Sequence, residues 1–199
     1  AGLLAGCAGI GLSPAKMDFD KAMGLFNQGE YEEAATYFTK AIEADPKYGI
    51  AHLYLGRSYV NLGQWQKALQ PLRTAYRISP KETSQEALEV LMDALLGSAG
   101  SLFKKGQFKE GVKYLKEGFG LEHDNHVFYE KALGKILSFG TEMLQKGKAS
   151  AAVEAFSEAI KMAPDKIDGY IGLAKAFLAN GNLLKALEAA KKALSLNPS

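Results

Sequence analysis

Alanines, glycines and large apolar residues return along this chain at fixed offsets rather than as one apolar block. Pro46 and Pro80 stand 34 residues apart, and so do Pro164 and Pro198. Five residues before each proline is an alanine (Ala41, Ala75, Ala159, Ala193), and twelve before is another (Ala34, Ala68, Ala152, Ala186). Eight before stands Phe38, Leu72, Phe156 or Ala190. Seventeen before stands a glycine (Gly29, Gly63, Gly147, Gly181), and twenty-four before a small residue (Ala22, Gly56, Gly140, Ala174). Two alanines seven apart share one face of a helix, and a glycine tolerates the positive φ that ends one. Each period therefore predicts two helices, A and B. They hinge at the glycine and close at the proline, which cannot continue the hydrogen-bond ladder.

A fifth copy lies in the middle of the chain. Gly106 takes the hinge, Ala99 the small crossing position, and Gly111 and Gly118 replace the two alanines, with His123 where the proline belongs. Two glycines in helix B cost about 1 kcal/mol each against alanine, so this unit is expected to be the least stable. The period also stretches here, and the extra residues fall before helix A. They are apolar and helix-compatible (Ala87, Leu88, Val90, Leu91, Met92; Val127, Phe128, Tyr129). Two elongated A helices are predicted, about Ser84–Lys105 and Val127–Lys146, the first opened by a Thr83/Glu86 capping box. Gly97 and Gly100 are the positions where a break would come.

The pattern resembles the tetratricopeptide repeat, a helix–turn–helix unit of 34 residues. Residues 49–82 carry it most fully, with Leu55, Gly56, Tyr59, Gly63, Trp65, Ala68, Ala75 and Pro80. The resemblance covers residues 15–199. It implies an all-α right-handed solenoid of about ten helices in five repeats, roughly 15–48, 49–82, 83–125, 126–166 and 167–199. Trp65 is expected to pack within its own repeat. The resemblance also implies a concave groove lined by A helices, with protein partners held in it. The lining would be Phe19, Met23, Phe26 and Asn27; Ile50, Leu53, Arg57, Val60 and Asn61; Leu137, Thr141, Leu144 and Gln145; and Asp168, Ile171, Lys175 and Leu178. The Lys/Asn/Arg set of the chaperone-binding carboxylate clamp is missing. The lining is apolar with isolated charges at Arg57 and Lys175, which suits an apolar or amphipathic helical segment. The alternative is a groove filled by the chain's own lengthened helices or tether. Helix 183–196 carries Lys185, Glu188, Lys191 and Lys192 and so can cap the array, while Leu184, Leu187 and Leu194 could dock a subunit.

The first fifteen residues are uncharged and too short to span a bilayer, which takes about 18–20. Leu4-Ala5-Gly6-Cys7 resembles the lipobox of bacterial lipoproteins. That resemblance implies a truncated signal and tether over 1–14, covalent lipid on Cys7, and, with Ala8 following, sorting to the outer membrane with the repeats facing the periplasm. A soluble, cytoplasmic scaffold or co-chaperone without lipid is the alternative.

Composition narrows the chemistry. With 24 basic and 22 acidic residues the net charge is +2, which gives no reason to expect a nucleic-acid partner. The lone cysteine, Cys7, rules out an internal disulfide and a cysteine zinc cage. His52 stands alone. Glu122-His123-Asp124-Asn125-His126 places two histidines near acids, but reads better as a polar inter-repeat turn with a capping Asn or Asp. No phosphate loop or nucleophile elbow is present. The expectation is a protein that is not an enzyme and uses no metal or cofactor: a lipid-anchored scaffold for a cell-envelope, secretion or pilus complex.

Overall fold

The computed structural model describes residues 13–197, which form ten helices and, among the described residues, no strand. They are α1 (Pro14–Asn27), α2 (Tyr31–Ala44), α3 (Gly49–Asn61), α4 (Trp65–Ile78), α5 (Lys81–Lys104), α6 (Phe108–Leu121), α7 (His126–Gln145), α8 (Ala149–Met162), α9 (Ile167–Ala179) and α10 (Leu183–Leu196). Odd-numbered helices are the A helices and even-numbered ones the B helices of five hairpins. The chain divides into two compact units, Ala1–Gly97 and Ser98–Ser199, the division falling inside α5.

One backbone device makes all five hairpins. Gly29, Gly63, Gly106, Gly147 and Gly181 have φ between 67° and 82°. Each donates its N–H to a carbonyl three residues back, as Gly63 does to Val60 at 2.9 Å. The next residue reaches five back, as Gln64 does to Tyr59 at 2.8 Å. This paired 5→2 and 6→1 closure satisfies the last carbonyls of helix A. The residue that completes it (Glu30, Gln64, Gln107, Lys148 or Asn182) is also the N-cap of helix B. Of these side chains, Asn182 bonds the helix it opens, accepting from Lys185 N at 3.2 Å.

Small residues sit where helices meet, each facing a large one. A Cβ at Gly56 would stand 2.4 Å from Leu72 Cγ, and one at Gly140 would stand 2.8 Å from Phe156 Cζ. Ala34, Ala41, Ala68, Ala75, Ala152 and Ala159 are buried at the centres of their B helices. In the first unit Phe19, Phe38, Leu55 and the buried alanines form one core, with Phe26, Tyr48 and Tyr54 packed on it. In the second, Phe108 and Phe139 stack at 4.9 Å, with Phe103 5.1 Å from Phe108.

The two long A helices form as predicted, within three residues at each end. α5 runs 24 residues without a break at Gly97 or Gly100, and α7 runs 20. The capping box is a correction. α5 begins at Lys81, so Thr83 and Glu86 lie inside the helix, and Glu86 instead receives Arg57. Trp65 is a second correction: its indole rests on Gly97 in the following hairpin. The middle hairpin has a physical reason for its glycines. A Cβ at Gly111 would stand 2.5 Å from Phe103 Cε1, and one at Gly118 would stand 2.1 Å from Phe128 Cζ. The propensity cost in α6 is thus set against room for two phenylalanine rings. Pro71 sits inside α4, where it leaves the carbonyl of exposed Lys67 to solvent.

Candidate functional surface

The A helices of the first unit neighbour one another in order. Phe26 of α1 meets Tyr54 of α3 edge-on at 5.3 Å, and Arg57 of α3 pairs with Glu86 of α5. Along this row Met23, Phe26 and Val60 are half-buried, while Ile50, Asn27 and Asn61 are exposed. Asn27 and Asn61 occupy the same place one period apart, in the last turn of their helices. Asn61 is exposed and uses its amide N–H on the carbonyl of Arg57 at 2.9 Å.

Two expected lining residues leave this surface. Leu53 is wholly buried, and Phe19 is 9 % exposed, its ring 5.6 Å from Phe38 and 5.0 Å from Tyr48. Both point into the core because α1 and α3 each bury two faces, one on their own B helix and one on the neighbouring hairpin. Arg57 is corrected too. It is not an isolated charge, since Glu86 neutralises it and its guanidinium lies 5.2 Å from the Tyr54 ring. The row is therefore apolar with amide ends.

In the second unit Leu137 and Leu144 are half-buried on α7 and Thr141 is exposed between them, its hydroxyl donated to the Leu137 carbonyl at 2.9 Å. On α9, Ile171, Lys175 and Leu178 follow at helical spacing and all are exposed, with Asp168 at the start of the helix. Gln145 is exposed at the end of α7.

Several charged groups in the second unit tie hairpins together. Glu158 of α8 bonds Lys116 of α6 at 2.8 Å and Lys161 at 3.2 Å. Burial pushes its carboxyl upward, but the two lysines overcome this and hold it below the usual carboxylate range. Lys166 reaches Glu130 of α7 at 2.5 Å, and that bond raises the ammonium above its ordinary value. Tyr129, its hydroxyl donated to the Met162 carbonyl at 2.8 Å, is pushed up by burial. At the proposed histidine turn, Asn125 caps α7 by accepting from Phe128 N at 2.8 Å. His126 stacks on Tyr129, and its Nε2 is 3.9 Å from Glu130. Among the described residues no three His, Cys, Asp or Glu side chains converge as metal ligands, and no helix is long and apolar enough to cross a membrane. Cys7 and the rest of residues 1–12 lie outside the described residues, while Ser13 and Pro14, expected in the tether, cap and open α1.

Sequence reasoning missed two features. A cleft of about 440 Å³ opens between α2 and the α3–α4 turn, lined among others by Glu32, Thr36, Glu43, Tyr59 and Lys67. Tyr37 lies under two lysines: Lys21 donates to its hydroxyl at 2.6 Å and lowers its pKa, and Lys40 stands 4.6 Å from the ring. Neither has a one-dimensional signature, because each joins residues from different helices.

The family profile agrees with this architecture. The tetratricopeptide repeat family profile matches residues 19–83 and 137–199. A TPR repeat-containing protein of Methanocaldococcus jannaschii is 25% identical over 174 residues, covering 87% of this chain and 28% of that protein. Tetratricopeptide repeat protein 16 of Mus musculus is 24% identical over 149 residues, covering 67% of this chain and 19% of its own. The chain thus spans less than a third of the curated relatives it matches. Among solved structures, the crystal structure of MamA protein is 21% identical with a TM-score of 0.44, covering 94% of this chain and 93% of that one. The crystal structure of YrrB, described as a TPR protein with an unusual peptide-binding site, is 22% identical with a TM-score of 0.41, covering 93% and 87%. With five glycine-hinged hairpins and a family profile over more than half of its residues, this chain belongs to the tetratricopeptide repeat family.

Proposed function

We propose that this protein is a non-catalytic adaptor that holds another polypeptide along its A helices. The supporting observation is the row of Met23, Phe26, Ile50 and Val60, which the core does not fully absorb, with the amides of Asn27 and Asn61 beside it. Apolar side chains grouped in the open mark interaction surfaces, and an amphipathic helix fits such a row through anchors at i, i+3, i+4 and i+7. Ile50→Glu with Val60→Glu should abolish crosslinking to native partners while the helical circular dichroism is kept. Unchanged crosslinking would rule out the row as the binding surface.

The address of this adaptor is the bacterial cell envelope. Cys7 would carry lipid, anchoring the chain at the outer membrane with its hairpins in the periplasm, where it would serve assembly of an envelope, secretion or pilus complex. The support is the Leu4-Ala5-Gly6-Cys7 run in an uncharged leader that holds the chain's lone cysteine. Intact mass of the membrane-extracted protein tests it. Loss of residues 1–6 with added acyl mass is the expected result. An unmodified thiol, with release from membranes by salt alone, would place the chain with soluble scaffolds and co-chaperones.

A further inference from the structure

The five hinge turns share one backbone closure but not one chemistry. In the first unit they read Asn27-Gln28-Gly29-Glu30 and Asn61-Leu62-Gly63-Gln64, without a cation. In the second unit two of them read Lys104-Lys105-Gly106-Gln107 and Gln145-Lys146-Gly147-Lys148. The third, Ala179-Asn180-Gly181-Asn182, closes by the same bonds with no lysine, so the closure does not call for one. Two lysines here go against helix preference. Lys148 is the N-cap of α8, a place that favours Asn, Asp or Ser. Lys109 lies in the first turn of α6, where the helix dipole disfavours a cation.

The two lysine turns stand side by side. Lys109 of α6 reaches Glu154 of α8 at 3.5 Å, and Lys116, seven residues on, reaches Glu158 at 2.8 Å. Helices α6 and α8 therefore run parallel from neighbouring turns. Lys146 is held by Glu142. Lys104, Lys105 and Lys148 are exposed, and among the described residues none of the three has an ion pair. Glu110 is the exposed carboxylate that borders them. The far ends of the same helices, about 21 Å away for 14 residues, have the opposite sign. The turns there carry Glu122, Asp124, Asp165 and Asp168, and the lysines near them, Lys161 and Lys166, are spent on Glu158 and Glu130. The hairpins of the second unit are thus positive at the hinge edge and negative at the other.

We infer that the hinge edge of the second unit seats on an anionic phospholipid surface, with the acidic turns facing away. Lysine is a compact, hydrated point charge and not a planar fork shaped for one carboxylate or phosphate. The two turns hold no arginine and no aromatic ring on which a base could stack, since Phe108 beside them is buried. Such groups respond to the density of negative charge, which an anionic bilayer presents over its whole surface. That attraction fades within a Debye length, so it acts on ammonium groups at the tips of turns and hardly on the acidic edge a helix length behind. This is a surface other than the A-helix row, and it needs no lipid on Cys7.

The full 199-residue chain with Cys7→Ser keeps the test independent of the lipid reading. It should cosediment at low salt with vesicles of phosphatidylcholine and phosphatidylglycerol in equal parts, but not with phosphatidylcholine alone, and salt should release it. Lys104→Gln, Lys105→Gln and Lys148→Gln together should weaken binding roughly 100-fold, about five-fold for each lysine. All three are exposed, so circular dichroism should be unchanged. Arginine at the same three positions should keep binding, and Lys191→Gln with Lys192→Gln on α10 should lose little of it. The inference is overturned if the chain ignores the anionic vesicles, if the triple glutamine variant binds as before, or if the α10 variant loses as much. Tighter binding to polyglutamate or single-stranded DNA than to the vesicles would also overturn it.

Discussion

The indole of Trp65 occupies the place where a side chain on Gly97 would begin, its Cδ2 2.2 Å from that Cβ position. The glycine is kept by the tryptophan, not by a turn, since α5 runs through it as regular helix. Gly97→Ala should therefore destabilise the protein despite alanine's better helix propensity. Trp65→Ala should destabilise too, by less than a fully buried aromatic would, since the indole is half-buried. With Trp65→Ala already made, Gly97→Ala should be neutral or stabilising. Denaturant unfolding of the four proteins checks this; additive losses would mean that the two residues are not coupled.

Glycines of one chemical type should respond in opposite directions according to backbone. Gly63 lies at φ 67°, and Gly63→Ala should cost about 1–2 kcal/mol, the penalty of a left-handed conformation for a residue with a Cβ. Gly134 lies in helical backbone on α7 with open space around it. Gly134→Ala should stabilise by roughly 0.5–1 kcal/mol. Thermal melts of the two variants give the comparison directly.

Acid should loosen the second unit through Glu158. Its folded-state pKa lies below the ordinary 4.5 because Lys116 and Lys161 outweigh burial. Its contribution to stability is thus complete above 4.5 and is lost as pH falls through the lower folded value. Lys116→Ala should raise the pH at which acid unfolding begins, and Glu158→Gln should flatten the dependence between pH 5 and that midpoint. A pH series of urea midpoints measures both. Coincident curves for the wild type and Lys116→Ala would refute the linkage.

Leu53 and Val60, both expected to meet a partner, should separate by experiment. Leu53→Glu puts a charge into a wholly buried site and should leave the first unit unfolded. Val60→Glu places it on a half-buried position and should keep the fold. Circular dichroism and limited proteolysis distinguish them.

The repeats, the hinges and both long helices were legible because each depends on residues at fixed distances in one chain. Ala68 and Ala75 declare a shared face, and Gly63 declares a helix end, wherever they fold. The candidate surface was less legible. Whether Leu53 faces inward and Val60 outward depends on how far the neighbouring hairpin rotates, which no spacing within α3 encodes. Arg57 reads as an isolated charge from the sequence because its counter-charge, Glu86, is 29 residues away on another helix. The contact of Trp65 is hidden for the same reason: its receptor is Gly97, and a glycine says nothing of what lies above it.

Gly111 and Gly118 carry one more implication. In most of this array the bulk at a crossing sits on the B helix, but around α6 it has moved across to Phe103 and Phe128 of the flanking A helices. Hairpins that have traded volume in this way are no longer interchangeable parts. A consensus hairpin transplanted here would bring alanines into space already taken. The middle hairpin has to be inherited, shuffled or redesigned as a whole, together with the A helix of the hairpin that follows it.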